Sequence, residues 1–394
     1  MAGRQERALK SAGRPLRAVG LMCGTSRDGV DAALVETDGH QRIRFGACLV
    51  LPFDAAARER WERAVRLARQ EGRSAHARLK TDEEDLVAWH ARAVKELLAR
   101  AGLAIGDIDI VGFHGLTLLH RPREGWSWQW GDPAMLARCL GLPVVGAFRD
   151  DDLAAGGEGA PLVPPFHRAL LADRLDEELR SAPVAVLNLG GVANLSWIDF
   201  RQRPEDGGLI AFDTGPGNGL IDEWMIRHAG EPCDRDGRMA RLGRVRDDLL
   251  DRLLDHPFFD RVPPKSLDRH DFSIEALAGV GVEDGAATLT AFTAAAVARG
   301  LDLLPARPRR LWVAGGGRRN PALMAALGKR LDCPVAPVEE LGLDGDALEA
   351  QAFGWLAVRA LDRRPVTWPT TTGARAPMPA GRLFLPGASA VRRE

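Results

Sequence analysis

The sequence predicts an α/β fold made of two related domains that face each other across a central cleft. The chain has 394 residues, which is long for a single hydrophobic core, so two domains are the default expectation. Two stretches, 19–35 and 184–198, share one pattern, in which alternating apolar segments flank a short polar glycine turn. Two copies of one strand–turn–strand unit, about half a chain apart, indicate two domains of the same kind.

The motifs assign most of the chain to these domains. Residues 1–17 are basic and polar, and we expect a disordered extension there. Domain I is predicted to comprise 18–170 together with 346–394, and domain II to comprise 171–345.

The composition excludes several classes of protein. A formal net charge of −1 provides no bulk attraction to nucleic acid or to a membrane surface. No segment approaches the roughly 20 apolar residues of a membrane span, and the N-terminus lacks the apolar core of a secretory signal. The five cysteines are scattered without CxxC spacing, which favours neither a zinc site nor a disulfide framework. We therefore expect a cytoplasmic protein without nucleic-acid or membrane partners.

Two helices follow the first predicted strands. Residues 54–72 place their apolar side chains on one face at helical spacing. The stretch 81–84 has the form of a capping box, which predicts that a second helix begins at Thr81 and ends near Gly102.

The first glycine turn, residues 24–29, contains hydroxyl groups and a carboxylate between two glycines. Glycine lets the backbone approach a ligand closely. Backbone N–H groups and hydroxyls can bind phosphate oxygens, and a carboxylate can hold Mg²⁺ through water. An ordinary hairpin turn explains the same residues, because short glycine turns are common.

A buried strand at 108–113 leads into a polar segment with His114 and His120. Two histidines suggest metal ligation, but a third ligand is missing, and a polar cluster at a strand end, where α/β sheets bind ligands, is the preferred interpretation. The alternating tryptophans at 126–130 could stack on a sugar, although a hydrophobic strand face is favoured. The glycine- and proline-rich loop 148–165 is interpreted as functional, as an interdomain linker, or as both.

Domain II contains the candidate catalytic residue. A predicted strand delivers Asp213 into a glycine loop that is followed by a helix, which suits a general base. Turn formation or helix capping would equally explain Asp213 and Asn218. A third glycine turn at 315–317 precedes a helix and could support a base or ribose on its backbone. Lys265 lies in a polar loop and has no assigned role.

The set of motifs narrows the fold further. The chain has no P-loop and no GxGxxG sequence after a strand. Three glycine turns, two of them in duplicated units, are the arrangement of actin-like, sugar-kinase and Hsp70-type ATPases. In these proteins two RNase-H-like domains hold Mg-ATP between two phosphate hairpins and an adenosine turn.

The ordered motifs resemble those of the anhydro-N-acetylmuramic acid kinase family. The matching stretches are 20–31, 112–115, 120–122, 156–165, 188–194, 212–218, 264–266, 315–321 and 346–350. Three residues depart from the usual pattern, because Cys23 replaces Ser, Leu116 replaces Gln, and Glu158 replaces Gln. Loss of the amide at position 116 puts the fit of the sugar pocket in question more than that of the nucleotide site.

The resemblance implies an enzyme of peptidoglycan recycling that uses a sugar, ATP and Mg²⁺. It would add water at C1 of 1,6-anhydro-N-acetylmuramic acid and phosphorylate O6, with Asp213 as the base that activates the water. Asp28 would hold Mg²⁺ through water, and Glu349 would bind the sugar near the anhydro bridge, with His114, His120 and Asn218 as further sugar contacts. The residues expected to bind ATP and its phosphates are Gly24, Thr25, Ser26, Arg27, Asp28, Gly29, Val30, Asp31, Asn188, Gly190, Gly191, Gly315, Gly316, Gly317 and Asn320.

Two alternatives remain open at this point. A hexokinase-type kinase would use Asp213 to deprotonate a free 6-hydroxyl of its sugar. A non-catalytic nucleotide switch of the actin or Hsp70 kind would bind the same nucleotide without a sugar. A homodimer is compatible with the sequence, which does not define the oligomeric state.

Overall fold

A computed structural model describes residue 9 and residues 14–24, 27–268 and 271–387. The chain forms two compact units. Unit 1 comprises Met1–Asp173, Ala347–Trp368 and Ala374–Glu394, and unit 2 comprises Arg174–Asp346 with Pro369–Gly373. The short segment of unit 2 near the C-terminus was not anticipated from the sequence.

The described residues form strands and helices in alternating groups. The strands are β1 (Leu16–Cys23), β2 (Gly29–Thr37), β3 (Ile43–Pro52), β4 (Ile110–Arg121), β5 (Trp126–Trp130), β6 (Val144–Gly146), β7 (Val184–Leu189), β8 (Val192–Ile198), β9 (Leu209–Pro216), β10 (Leu311–Ala314), β11 (Val335–Pro337) and β12 (Arg382–Phe384). The α-helices are α1 (Ala55–Glu71), α2 (His76–Ala101), α3 (Pro133–Leu140), α4 (Asp150–Ala154), α5 (Pro164–Arg174), α6 (Glu177–Arg180), α7 (Gly219–Ala229), α8 (Arg238–Leu242), α9 (Asp247–Leu254), α10 (Val282–Asp302), α11 (Pro321–Arg330) and α12 (Leu348–Leu361).

The two sheets repeat one strand order. The sheet of unit 1 runs β12-β6-β4-β1-β2-β3, with β5 paired to β4, and the sheet of unit 2 runs β11-β10-β7-β8-β9. In each unit an antiparallel meander, β1 to β3 or β7 to β9, is followed by two strands parallel to its first strand. Short turns connect the antiparallel strands, whereas the parallel strands need helical crossovers. This repeated order confirms the predicted α/β fold with two RNase-H-like domains.

In unit 1, helix α12 lies directly on the sheet because two strands carry glycine at the contact. A Cβ at Gly20 of β1 would lie 1.8 Å from the carbonyl oxygen of Ala350, and one at Gly112 of β4 would lie 2.0 Å from that of Phe353. The neighbouring side chains of β1, such as Val19 and Leu21, pack into the core with α1 and α2. The close approach places the first turn of α12, with Glu349, near the polar end of β1.

Two expectations for unit 1 are corrected. Helix α2 begins at His76 rather than at Thr81, because Leu79 is already buried in the core and extends the helix toward its N-terminus. The expected extension 1–17 also overlaps β1, since Leu16 pairs with Thr37 in the sheet and is buried. The remainder of that extension, apart from residues 9 and 14–17, lies outside the described residues.

In unit 2, helix α10 supplies the centre of the core. Its buried face packs against β7, β8 and β10 together with α11. A second cluster joins α7, α9 and α10 through the aromatic side chains of Phe258, Phe259, Phe272 and Phe292. These contacts hold the loop that follows Phe259 against the end of the sheet. Within the described residues, no helix combines the length and apolarity needed to cross a membrane.

Candidate active site

The turn between β1 and β2 is anchored to the end of β3. Arg27 has a φ of 56°, and its N–H donates to the carbonyl oxygen of Gly24 over 3.1 Å. The carbonyl oxygen of Asp28 accepts a hydrogen bond from Phe53 over 2.9 Å. Val30 directs its side chain into the core, so it can offer only main-chain groups to a ligand. Thr25 and Ser26 lie outside the described residues.

Three carboxylates of unit 1 interact near this turn. Burial raises the pKa of Asp31 to about 7, and the negative charges of Asp28 and Glu349 raise it further. Burial and the same aspartates also raise the pKa of the Cys23 thiol, so this residue is a buried neutral thiol. A cation would relieve the repulsion among the carboxylates.

The carboxylates suit magnesium held indirectly. Magnesium is commonly bound by one or two carboxylates together with phosphate oxygens and several waters. Among the described residues, no three or more His, Cys, Asp or Glu side chains form a group that could hold a metal directly. Asp28 and Asp31 supply carboxylate oxygens, the ligand type that Mg²⁺ binds.

His114 is held by protein groups on both sides of its ring. Its Nδ1 lies 2.8 Å from the carbonyl oxygen of Gly115. Its Nε2 lies 3.2 Å from Nε and 3.0 Å from Nη2 of Arg149. Burial lowers the pKa of His114 to about 3, and the Arg149 charge lowers it further. His114 is thus a neutral acceptor that orients Arg149, and a direct contact with sugar stays a prediction.

His120 is the second histidine of this cluster. Its Nδ1 lies 3.0 Å from Oγ of Ser127. Burial and, secondarily, the charge of Arg149 lower its pKa to about 3. Arg149 also donates to the carbonyl oxygen of Gly159 over 3.1 Å, so it connects His114 with the glycine-rich loop. No sequence motif marks Arg149 beyond its position in that loop.

The glycine-rich loop is organised by a buried carboxylate. Asp152 accepts a hydrogen bond from the N–H of Gly159 over 2.7 Å and another from the hydroxyl of Thr367.

Nearby, Trp126 and Trp128 line an open cavity of about 440 Å³. Arg73 covers Trp126 and the His76 ring lies against Trp128, which supports the interpretation as a strand face rather than a sugar platform.

In unit 2, one lateral row of the sheet collects polar residues. Ala314 of β10 pairs with Asn188 of β7, Asn188 pairs with Asn194 of β8, and Asn194 pairs with Asp213 of β9. Laterally paired residues point to the same face of a sheet. Asn188, Asn194 and Asp213 therefore form one polar line that leads toward Gly315. Asn194, which the sequence placed in a motif without a role, belongs to this line.

Asp213 is 7% exposed and is fixed by the loop at 263–267. Its N–H donates to the carbonyl oxygen of Lys265 over 2.9 Å. Its Oδ2 accepts a hydrogen bond from the N–H of Leu267 over 2.8 Å. A carboxylate held in this way has a defined orientation, which a general base requires.

The loop after β9 rests on the turn between β7 and β8. Gly217 and Asn218 donate their N–H groups to the carbonyl oxygens of Gly191 and Gly190 over 3.1 and 2.9 Å. The side chain of Asn218 donates to Asp222 over 2.7 Å. Its buried Oδ1 has no hydrogen-bond partner among the described residues. That oxygen can accept from a hydroxyl of a ligand, because buried acceptors are normally satisfied.

The third glycine turn is built against β7. Gly315 has a φ of 77°, and a Cβ there would lie 2.4 Å from Oδ1 of Asn188. Arg318 donates to the carbonyl oxygen of Gly315 over 2.9 Å and also pairs with Glu339 and Asp346. Asn320 caps α11 through the N–H groups of Ala322 and Leu323, so the predicted ATP contact has a structural task.

The structure therefore groups the predicted residues by unit. Unit 1 contains Gly24, Arg27 to Asp31, His114, His120 and Glu349, whereas unit 2 contains Asn188, Gly190, Gly191, Asp213, Asn218, Gly315 to Gly317 and Asn320. Sequence reasoning missed Arg149, Arg318 and the main chain of Leu267. Arg318 lies inside the noted motif 315–321, Arg149 inside the loop 148–165, and Leu267 directly after 264–266, but the motifs assigned none of them a role.

Comparison with known proteins finds one family across nearly the whole chain. The family model described as anhydro-N-acetylmuramic acid kinase matches residues 16–386. A relative of that name from Paramagnetospirillum magneticum is 49% identical over 94% of this chain and 99% of its own length. One from Rhodospirillum rubrum is 50% identical over 95% and 97%. A solved structure, an activator of 2-hydroxyisocaproyl-CoA dehydratase from Clostridium difficile with bound ADPNP, matches 88% of this chain and 96% of its own, at 11% identity and a TM-score of 0.44.

Proposed function

Because the chain belongs to the anhydro-N-acetylmuramic acid kinase family, and is thus an ATP-dependent kinase of cell-wall recycling, we propose that it opens an anhydro sugar with water. The substrate is 1,6-anhydro-N-acetylmuramic acid. Water attacks C1, the C1–O6 bond breaks, and O6 takes the γ-phosphoryl group of ATP. The products are N-acetylmuramic acid 6-phosphate and ADP.

The environment of Asp213 is the observation that carries this proposal. Its carboxylate is largely buried, and a backbone N–H holds one of its oxygens. In the proposed reaction Asp213 accepts a proton from the attacking water, which makes the oxygen a stronger nucleophile at C1. An ordinary glycosidase also needs an acid for the leaving oxygen. Here the phosphorus of ATP takes up that oxygen instead.

Binding groups for the nucleotide are proposed in both units. In unit 1, the main chain at Gly24 to Asp31 binds the β- and γ-phosphates, and Asp28 holds Mg²⁺ through water. Bound magnesium would neutralise charge on the phosphates, which phosphoryl transfer requires. In unit 2, the turn at Gly315 to Gly317 supports the adenosine. Asn188, Gly190 and Gly191 bind phosphate in the proposal.

The sugar contacts are proposed at polar residues of the matched motifs. Glu349 and His120 belong to unit 1, and Asn218 belongs to unit 2. The buried Oδ1 of Asn218 supports its role, because a sugar hydroxyl would supply the hydrogen bond that it lacks among the described residues. The side chain of Leu116 on β4 has no hydrogen-bonding group. The polar contacts to the sugar are therefore assigned to Glu349, His120 and Asn218.

Reaction in ¹⁸O-labelled water tests the ring opening. The full chain is incubated with the anhydro sugar and Mg-ATP, and the product is analysed by mass spectrometry with rapid quenching. We expect label at C1 to appear at the rate of ADP formation. Free N-acetylmuramic acid is the comparison substrate, since it carries a 6-hydroxyl.

The alternatives give other results. A hexokinase-type kinase would phosphorylate the free sugar readily and would leave the anhydro sugar unopened. A nucleotide switch would release ADP slowly and at the same rate with or without sugar. Either result would overturn the proposed function.

A further inference from the structure

The loop at 263–267 holds Asp213 through its main chain and is itself held by buried groups. The carbonyl oxygen of Lys265 accepts from the N–H of Asp213, and the N–H of Leu267 donates to its Oδ2. The two contacts come from residues two apart in the loop. The position of this short segment therefore determines where the Asp213 carboxylate points.

The buried side chain of Lys265 anchors the 263–267 loop to the core of unit 2. The side chain is 2% exposed, and its Nζ donates to the carbonyl oxygen of Phe258 over 3.1 Å. The same Nζ lies 4.4 Å from the centre of the Phe258 ring, a favourable position for a cation. Phe258 is packed in the aromatic cluster of unit 2. The ammonium group thus ties the loop to a rigid part of the core.

Burial of the charged Lys265 side chain carries a desolvation cost. Burial lowers the pKa of Lys265 to about 8, and the guanidinium of Arg261 lowers it further, while the carboxylates of Asp260 and Asp213 raise it. Arg261 also donates to the carbonyl oxygen of Ser266 over 3.1 Å. Burial of a charged amine carries a desolvation penalty, which the contacts of Lys265 with Phe258 offset in part.

We propose that Lys265 is a positioning residue for Asp213, which anchors the 263–267 loop to Phe258. This inference rests on the proposed function, in which Asp213 is the general base. Lys265 acts through Asp213 and takes no proton from the substrate itself. No binding role for ATP or for the sugar is assigned to it.

Substitution of Lys265 by Met in the full chain tests the proposal. We expect kcat to fall at least about tenfold, while the KM values for ATP and for the anhydro sugar change less than about threefold. Removal of the cation should also move the acidic limb of the kcat/KM pH profile to higher pH, because a nearby positive charge favours the ionised carboxylate. Lys329→Met, at an exposed position on α11, is the matched control. It should leave both kcat and the pH profile unchanged.

Folding and coupling are measured on the same variants. Thermal unfolding and ADP affinity show whether unit 2 is intact, and Lys265→Gln, which retains an N–H donor, replaces the Met variant if that one does not fold. In an Asp213→Asn background the Lys265 substitution should lower kcat less than about threefold, since the residue through which Lys265 acts is gone.

The outcomes separate this inference from the proposed function. A wild-type chain without sugar-dependent release of ADP would overturn the function before any variant is compared. An active wild type with an unchanged kcat and pH profile in both Lys265 variants would overturn the positioning role alone. The positioning role would also be overturned if the Lys265 substitution lowered kcat as much in the Asp213→Asn background as in the wild type.

Discussion

Leu267 donates its main-chain N–H to Oδ2 of Asp213 over 2.8 Å, although 54 positions separate the two residues in the sequence. The contact orients a largely buried carboxylate at the polar end of the unit 2 sheet. The polar loop that contains Lys265 thereby holds the proposed base.

Substitution of Asp213 by Asn should remove the base while the fold is kept. General-base catalysis contributes about 10²- to 10⁴-fold, and we expect kcat to fall by that amount. ADP affinity, measured by titration calorimetry, should change less than about twofold. Asp251→Asn, on the exposed face of α9, is the control. Retention of normal turnover by the Asp213 variant would show that another group activates the water.

Gly315 and Gly316 should respond differently to substitution by Ala. A Cβ at Gly315 would lie 2.4 Å from Oδ1 of Asn188, whereas one at Gly316 meets no atom within 4 Å. We expect Gly315→Ala to lower the unfolding temperature by several degrees and to weaken ADP binding about tenfold or more. Gly316→Ala should weaken ADP binding without lowering stability.

The control for this pair is Gly328→Ala on α11, where a Cβ also meets no atom within 4 Å. It should change neither quantity unfavourably, because Ala is preferred to Gly in a helix. Unchanged ADP affinity in both turn variants would argue against adenosine binding at Gly315 to Gly317.

Asp31 should make the protein less stable as the pH rises. Its pKa is raised to about 7 in the folded chain, so between pH 4 and pH 7, roughly, the folded state keeps a proton that the unfolded state releases. Stability from this group is complete below the unfolded pKa and is lost as the pH rises through the folded pKa. Asp31→Asn cannot ionise and should avoid that loss.

The measurement is the difference in unfolding free energy between Asp31→Asn and the wild type, without nucleotide or metal. We expect it to shift in favour of the variant by roughly 2 to 4 kcal/mol between about pH 4.5 and about pH 8. Other titrating groups are common to both chains and cancel. A difference that does not vary with pH would mean that Asp31 is ionised normally in the folded chain.

Arg318 should stabilise the third glycine turn. Its side chain is 5% exposed and pairs with Glu339 and Asp346. Arg318→Met removes the buried partner of two carboxylates, which typically costs about 3 to 5 kcal/mol when a pair is fully buried. Since both acids are partly exposed, we expect roughly half of that cost and a higher KM for ATP.

Urea unfolding of the full chain measures this effect, with Arg330→Met at an exposed position of α11 as the control. Equal stability of the two variants would show that the pairs around Arg318 contribute nothing. A loss of stability without any change in KM for ATP would separate the ion pairs from nucleotide binding.

The architecture could be predicted because its signals are local. The duplicated strand–turn–strand units, the amphipathic helix at 54–72 and the glycine turns each depend on a few adjacent residues. The start of α2 was wrong for the converse reason, because a capping sequence at Thr81 has no effect once Leu79 is buried and the helix extends to His76. Packing outweighs a local signal at such a point.

By itself, the sequence determined the repeated α/β order, the family and the residue types available for chemistry, since motifs and periodicity are written in neighbouring positions. Only the tertiary structure decided which groups meet. It paired Arg149 with His114, aligned Asn194 with Asp213 in one sheet row, and brought Leu267 and Lys265 to the base. Hydrogen bonds and shifted pKa values of this kind depend on burial and on contacts between distant parts of the chain, which no local pattern encodes.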